Sequence, residues 1–393
     1  MSILKVNAIR ATAASSDAIT LATDGTCTAK VTNNLSNRNL IINGAMQIAQ
    51  RGTSATSTGF QTVDRWKFHG NWPGSAITTA QSDVAAGTTP YEKGFRKAWK
   101  VTNVSQSSAG AANYLYLRTA LEAQDVATSG WDYTDANSKV TLSFWVKSSI
   151  AQNNYGYFRT IDGTQKMYPF ETGSLTADTW TKVTKTIPGH ADLQFDNNNG
   201  NGLDIMISPF WGTNYTSSSV SLHTWSNNND SERFPDYPTT WFLDNGATFE
   251  ITGVQLEVGD YPSSFEFRSY GDELQRCRRY FYMHANGADA GGGWVNICQL
   301  TAWSSSSEMG MVYFPVAMRT TPSLYKVVGT DYFRCARAGG YQDSDDVSLD
   351  TGGGTNMGHL MFSDDIASTA GYAGYAQIVD GKTAARIGFD AEL

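Results

Sequence analysis

The sequence predicts a mainly β protein, in which a jelly-roll β-sandwich is followed by a short helix and a second, smaller β-sandwich. Short apolar runs separated by Gly, Asn, Asp and Pro turns fill most of the 393 residues. Aromatic residues make up 12% of the chain and charged residues only 17%, a balance typical of β proteins with a surface rich in Ser, Thr and Asn. Helical periodicity is clear in one segment only, between Ser269 and Tyr282.

We expect four parts: an extended N-terminal attachment or oligomerisation segment (1–38), a jelly-roll domain (39–269), a connecting helix (270–284) and a C-terminal β domain (285–393). The first part holds isolated apolar residues among Ala, Thr, Ser and Asn, so it cannot build a core alone. Copies of itself or a larger particle must order it, and a disordered tail is the alternative. Within it, Asp24-Gly25 predicts the turn of a hairpin.

Alternation in the jelly-roll domain is clearest between residues 140 and 146. Val140, Leu142, Phe144 and Val146 share one strand face, and Trp145 points to the other. Short strands with long polar loops favour two packed sheets over βαβ units. Further strands are predicted at 114–118, 180–187, 203–207 and 241–243.

The last strand of this domain changes phase along its length. Phe249 and Ile251 share one face, but from Val254 onward the alternation continues one residue out of step. This slip predicts a β-bulge at Gly253.

A helix follows the strand after a turn containing Pro262. Ser269 and Asp272 resemble a capping pair, which predicts the helix start. We expect the helix to run from Asp272 to Met283 and to bury a face made of Leu274, Cys277 and Phe281. Beyond it, strands of the second β unit are predicted at 294–303, 309–314, 323–328, 332–335, 359–362, 375–379 and 385–389.

Charge and cysteine content narrow the class of protein. A net charge of -8 argues against a nucleic-acid partner, because phosphate contacts require concentrated Lys and Arg. The four cysteines are far apart and form no CxxC pair, so we expect free thiols. We expect neither a secretory signal nor membrane insertion, since no uncharged apolar run approaches the roughly 20 residues that a bilayer requires.

Three ordered blocks of the sequence resemble a family of bacteriophage tail-fibre and virion-surface proteins. They are 39–52 (NLIINGAMQIAQRG) with the following DRW at 64–66, then GVQLEVG with PSSFEFRSYGDELQRCRRYF between 253 and 281, and FPVAMRTTP at 314–322. The resemblance implies that the region between 39 and 269 is similar to carbohydrate-binding modules of the jelly-roll type. It also implies a virion location and, as is common in that family, a homotrimer.

The sequence offers no catalytic constellation, so we expect no enzymatic activity. The five His are scattered and form no HExxH motif, and no GxSxG elbow occurs. A pair of glycosidase carboxylates is the alternative, because the fold and not the spacing brings such a pair together. Calcium is a weaker possibility at Asp343, Asp345 and Asp346, where a solvated acidic turn is the competing interpretation.

Aromatic residues in polar surroundings are the best candidates for a ligand site. A sugar ring stacks its apolar face on Trp or Tyr, while its hydroxyls need polar partners. Structural packing is the alternative for each candidate. The candidate glycan-binding residues are Trp72, Tyr155, Tyr157, Trp211, Tyr215 and Trp225.

Together these features predict a virion structural protein, on a tail fibre or another surface fibre, that recognises host polysaccharide or lipopolysaccharide. The N-terminal segment would bind other virion proteins. One rival is an adaptor or capsid decoration protein that stabilises the particle without binding sugar. The other, from a different class, is a carbohydrate-active enzyme.

Overall fold

The computed structural model describes residues 6–23, 25, 27–29, 37–104, 106–291 and 293–393, and these residues are mainly β. The predicted fold class is confirmed. Helices in this part of the chain are short: α1 (Thr89–Glu92), α2 (Ala123–Ala127), α3 (Thr240–Leu243), α4 (Tyr270–Arg278) and a 3-10 turn (Gly287–Ala290). None of the helices described here is long and apolar enough to cross a bilayer.

The N-terminal segment contains a small antiparallel sheet of β1 (Ala8–Ile9), β2 (Ile19–Leu21) and β3 (Cys27–Ala29). Leu21 lies opposite Cys27, which confirms the predicted hairpin. Asp24 of the predicted turn lies outside the described residues. The role of this segment in attachment stays a prediction.

Two antiparallel sheets form the jelly-roll sandwich. Sheet I has the order β14-β11-β10-β13-β8-β5 and sheet II the order β12-β9-β15-β7-β6-β4. Successive strands β7, β8, β9 and β10 alternate between the two sheets, as expected of a jelly roll. The strands are β4 (Ser54–Ala55), β5 (Lys67–Asn71), β6 (Thr78–Asp83), β7 (Lys97–Thr102), β8 (Tyr114–Glu122), β9 (Lys139–Ser148), β10 (Asn153–Thr160), β11 (Lys166–Ser174), β12 (Thr181–Pro188), β13 (Asn201–Trp211), β14 (Ser226–Asn227) and β15 (Thr248–Val258).

The sandwich core lies between the two sheets. Trp66 and Trp99 meet edge to face in it, with ring centroids 5.8 Å apart, and both are almost fully buried. The four alternating residues predicted to face the core, from Val140 to Val146, are all fully buried, and Trp145 lies half-buried on the opposite face. Their alternation was therefore a reliable guide to the inward face.

The β-bulge predicted at Gly253 is confirmed. Thr252 lies opposite Trp145 and Gln255 opposite Ser143, so Gly253 and Val254 together face a single residue of β9. Gly253 has φ +63°, a conformation that glycine adopts without strain. The bulge restores the inward direction of the apolar residues that follow it.

The strand predicted at 241–243 was wrong, because these residues form α3. Trp241 and Phe242 are neighbours and both are fully buried, whereas a strand would direct them to opposite faces. Asn103 stabilises the helix end by donating from Nδ2 to the backbone oxygens of Phe242 (2.7 Å) and Asp244 (2.8 Å).

The predicted start of α4 is confirmed. The Ser269 hydroxyl accepts a hydrogen bond from the backbone N–H of Asp272 at 3.1 Å. On the predicted apolar face Cys277 is fully buried and Leu274 is half-buried.

The predicted extent of this helix to Met283 was wrong. Helix α4 ends at Arg278, and β16 begins at Phe281. The strand pairs with β25 (Arg386–Asp390) near the end of the chain. Its backbone groups therefore bond to residues that are distant in sequence, and the hydrogen bonds of a continued helix do not form.

The second β unit has its own core between two sheets. Sheet III has the order β16-β25-β19, and sheet IV has the order β21-β20-β24-β17-β18-β23-β22. Phe333, Leu360, Phe362, Ile387 and Phe389 are fully buried between them. The strands after α4 are β16 (Phe281–Asn286), β17 (Val295–Ser304), β18 (Ser307–Tyr313), β19 (Ser323–Val327), β20 (Phe333–Arg337), β21 (Gly340–Ser344), β22 (Ser348–Leu349), β23 (Met357–Phe362), β24 (Ala373–Ile378) and β25 (Arg386–Asp390).

Buried charges connect the sandwich to the second β unit. The side chain of Glu122, at the end of β8, is fully buried and accepts from Arg279 Nε at 2.7 Å and from the Tyr280 hydroxyl at 2.6 Å. The Arg65 guanidinium lies 3.4 Å from the centre of the Tyr280 ring and forms an ion pair with Glu392. We call these residues the junction. Where one domain ends and the next begins stays a prediction.

Candidate functional site

The outer face of sheet I is lined by alternate residues of its strands. Cross-strand pairing places Lys67, Arg118, Met206 and Tyr157 side by side on this face. The Leu residues that alternate with Tyr114 and Tyr116 on β8 are fully buried in the sandwich core, so the two tyrosines point outward.

Five aromatic side chains meet on this outer face, and we call them the aromatic patch: His69, Tyr114, Tyr116, Trp211 and Tyr215. The rings of Tyr114 and Tyr116 are nearly parallel to Trp211, at centroid distances of 4.8 and 5.5 Å. Trp211 itself is 2% exposed, whereas the other four members are only partly buried. The patch therefore offers partly exposed rings held in fixed orientations by a sheet.

Polar groups surround the rings of the aromatic patch. The Tyr114 hydroxyl lies 3.3 Å from His69 Nε2, and the Arg233 guanidinium lies 4.8 Å from the centre of the Trp211 ring. Burial, together with the nearby Lys67, lowers the pKa of His69. We therefore expect a neutral imidazole near pH 7, which both donates and accepts hydrogen bonds.

The neighbouring part of the same face is charged. Asp204 is fully buried and accepts from Arg118 Nε at 2.7 Å and from an Arg159 terminal nitrogen at 2.6 Å. A terminal nitrogen of Arg118 also donates to the backbone oxygen of Leu393 at 2.9 Å. These guanidinium groups already have partners within the chain, so we interpret this charged part of the face as structural.

Two of the predicted glycan-binding residues, Trp211 and Tyr215, belong to the aromatic patch. Tyr155 and Tyr157 lie on the same sheet but are covered by the segment that contains Phe234 and Tyr237. Tyr157 is fully buried with its ring 5.3 Å from Phe234, and Tyr155 lies 4.9 Å from Tyr237. Tyr157 thus presents no ring face to a ligand.

The other two predicted residues have packing roles. Trp72 is partly buried against Phe68, with ring centroids 5.6 Å apart. Trp225 is 8% exposed, packs against Tyr168 at 5.3 Å and donates from Nε1 to the backbone oxygen of Pro188 at 2.7 Å. Glycan binding by Trp72 and Trp225 stays a prediction, and their packing does not favour it.

Sequence reasoning missed Tyr114, Tyr116 and His69 as candidate site residues. The signal was present in YLYLR at 114–118, because leucines that face a core direct the alternating tyrosines outward. What remained hidden was the position of Trp211 beside them, since this depends on the pairing of β8 with β13.

The acidic turn considered for calcium has other partners. Asp343 is paired with Arg334 at 2.5 Å and Asp346 with Lys326 at 2.5 Å. Asp345 accepts a hydrogen bond from the backbone N–H of Asp331 at 2.7 Å. Asp343 and Asp346 are thus engaged in ion pairs, whereas a carboxylate oxygen of Asp345 lies within 4.8 Å of carboxylate oxygens of Asp364 and Asp365. Calcium binding stays a prediction.

Comparison with known proteins gives weak structural similarities only. The enzymatically active domain of Bacteriophage CBA120 tailspike protein 4 is 9% identical, with a TM-score of 0.31 over 56% of this chain and 22% of that one. A putative sugar binding protein from Bacteroides thetaiotaomicron VPI-5482 is 13% identical, with a TM-score of 0.29 over 56% of this chain and 100% of that one. TmCBM61, solved with beta-1,4-galactotriose, is 10% identical, with a TM-score of 0.26 over 57% and 100% of the two chains.

This chain thus spans about a fifth of the tailspike chain it resembles. At such low identities and TM-scores, the similarities carry no information about the ligand of this chain. No protein-family model matches the sequence, and no curated protein matches it.

Proposed function

We propose that this protein is a structural component of a bacteriophage virion, on a tail fibre or another surface fibre, and that its aromatic patch binds host-surface polysaccharide or lipopolysaccharide. The observation that carries the binding proposal is the pair of parallel, partly exposed rings of Tyr114 and Tyr116 on sheet I. The three sequence blocks that resemble virion-surface proteins support the virion assignment.

The chemistry of the aromatic patch suits a sugar. The apolar face of a pyranose can stack on a tyrosine ring, and hydroxyl groups around the sugar need donors and acceptors at its edge. The hydroxyls of the two tyrosines, neutral His69 and the amine of Lys67 supply both kinds of group. Because the rings stand on neighbouring positions of an antiparallel sheet, little side-chain freedom remains to be lost on binding.

The rest of the proposal concerns assembly. We propose that residues 1–38 attach the protein to other virion proteins and that the protein is a homotrimer that binds glycans without cleaving them. The stoichiometry follows the family resemblance. The exposure of apolar side chains in the described part of this segment motivates its role, because Ile9 in β1 and Leu21 in β2 are 52% and 39% exposed.

A glycan array followed by titration of the purified protein tests the binding site. We expect Tyr114→Ala and Tyr116→Ala each to weaken binding to host polysaccharide about 10-fold, which corresponds to ~1.4 kcal/mol for loss of one stacking surface. Tyr261→Ala is the matched control, because this tyrosine is 73% exposed and lies outside the aromatic patch. Circular dichroism should show the same fold for all three variants.

Two results would contradict the proposal. Normal incorporation into particles without retention on any host glycan would identify an adaptor or decoration protein. Release of reducing sugar from host polysaccharide would identify an enzyme.

A further inference from the structure

Two positively charged residues border the aromatic patch on the outer face of sheet I. Lys67 on β5 lies opposite Arg118 on β8, and His69 lies opposite Tyr116 in the adjacent row. Residues two apart on one strand share a face and are about 7 Å apart, so the two rows are neighbours. A ligand that rests on the Tyr116 ring therefore lies beside these cations.

The positive charges at this border outnumber the negative ones. Arg118 and Arg159 share the carboxylate of Asp204. Arg118 also donates to an oxygen of Leu393, the last residue of the sequence, at 2.9 Å. Even with a terminal carboxyl group at Leu393, the three cations Lys67, Arg118 and Arg159 meet only two anions. One positive charge is therefore left without a counter-charge.

Lys67 is the cation that remains unbalanced. Within the residues that the structure describes, its ammonium forms no ion pair, and it lies 5.8 Å from the centre of the Phe60 ring. Burial lowers the pKa of Lys67, Arg118 lowers it further, and Asp204 compensates only in part. An anion bound beside Lys67 would supply the counter-charge that the chain itself does not provide.

The same positive charges act on the rings of the aromatic patch. Burial raises the pKa of Tyr116, Arg118 opposes this rise, and Asp204 adds a smaller one. Burial lowers the pKa of His69, and Lys67 lowers it further. In a chain with a net charge of -8, a region where cations are in excess attracts anionic ligands that the rest of the surface repels.

We propose that the glycan bound by the aromatic patch is anionic, and that the Lys67 ammonium pairs with its charged group while the sugar ring stacks on Tyr116. This inference rests on the proposed glycan binding and adds the chemical class of the ligand. A carboxylate and a phosphate share the required chemistry, because both accept charge-assisted hydrogen bonds from an ammonium. Arg118 is already held by Asp204, whereas Lys67 has a flexible stem that lets its ammonium turn to the ligand.

Titration of the full-length protein with the host polysaccharide or lipopolysaccharide that binds on the glycan array tests the inference. The glycan is used untreated, after reduction of its carboxyl groups to alcohols, and after removal of its phosphates. We expect at least one treatment to weaken binding about 10-fold, which is the size of one charge-assisted hydrogen bond. The treatment that does so identifies the charged group as a carboxylate or a phosphate.

Lys67→Met removes the charge and keeps the apolar stem of the side chain. We expect it to weaken binding of the untreated glycan about 10-fold and to leave binding of the neutralised glycan unchanged, so that the two losses are not additive. Added salt should weaken binding by wild type more than binding by the variant. Lys100→Met is the matched control, because Lys100 is a half-buried lysine on β7 of sheet II. Circular dichroism establishes that each variant is folded, and Lys67→Gln replaces Lys67→Met if the latter does not fold.

Two results would overturn the inference and leave the proposed function intact. One is equal binding of the untreated and both treated glycans, each still weakened by Tyr116→Ala. The other is a folded Lys67→Met variant that binds the untreated glycan like wild type. Absence of binding to any host glycan, or binding that Tyr116→Ala does not change, would contradict the proposed function and this inference together.

Discussion

Gly253→Val tests whether the β-bulge in β15 requires glycine. The φ of +63° disfavours a residue with a Cβ, at a cost of about 1–2 kcal/mol. A Cβ at this position would also lie 2.6 Å from Cζ of Phe95, a ring that is 2% exposed and cannot move away freely. Overpacking of this kind costs about 1–3 kcal/mol, so we expect a total destabilisation of about 2–5 kcal/mol.

Gly246→Val separates the two causes, because Gly246 has φ +87° but open space around its Cβ direction. It should lose only the conformational part, about 1–2 kcal/mol. Adding Phe95→Leu to Gly253→Val should recover part of the loss, and the double-mutant cycle measures the steric coupling.

Differential scanning calorimetry of the full-length chain gives the midpoints of unfolding. For a domain of this size, each kcal/mol shifts the melting temperature by about 2–4 °C, so Gly253→Val should lower it by at least about 4 °C. Equal melting temperatures for wild type and Gly253→Val would refute the reasoning. A loss no larger than that of Gly246→Val would show that Phe95 does not restrict the site.

Three further predictions concern the junction, pH and the N-terminal segment. Glu122→Gln removes the counter-charge of Arg279, whose side chain is 34% exposed, and should destabilise the chain by about 1–3 kcal/mol in calorimetry, whereas Glu92→Gln, in α1, should change little. Burial raises the pKa of Asp64 to about 6, above its unfolded value, so its contribution to stability is largest at low pH and is lost as the pH rises through about 6. Denaturant unfolding should therefore show a gain of about 1.4 kcal/mol from pH 7.5 to pH 5 that Asp64→Asn lacks, and equal gains would refute the assignment. Deletion of residues 1–38 should leave a folded protein that no longer enters particles, and normal incorporation would contradict the attachment role.

Local patterns predicted the elements whose geometry depends on neighbours in sequence. The alternation from Val140 to Val146 and the phase slip at Gly253 each record which face of a strand is buried, and that information is contained in a few consecutive residues. The Ser269 cap is equally local.

Errors arose where distant residues decide the structure. Helix α4 ends at Arg278 because the residues that follow pair with β25. The single turn of α3 is stabilised by Asn103, which donates a hydrogen bond to the backbone oxygen of Phe242 at its end. The candidate site follows the same rule. Trp211 was recognised as an aromatic residue in a polar loop, but its position beside Tyr114 follows from the pairing of β13 with β8.

Each of the sequence blocks that resemble virion-surface proteins contributes a contact at the junction. Arg65 from the first block packs on the Tyr280 ring from the second at 3.4 Å, and Arg319 from the third donates from a terminal nitrogen to the backbone oxygen of Glu392 at 3.0 Å. Buried charges of this kind are costly to lose singly, since each would leave its partner unpaired. The blocks thus describe how the sandwich is fixed to the second β unit.

The aromatic patch contains no residue from these blocks. A chain could therefore keep the same junction while its outer surfaces change to suit another ligand or another assembly. The ligand therefore has to be inferred from partly exposed side chains such as Tyr114 and Tyr116 and from experiments on them.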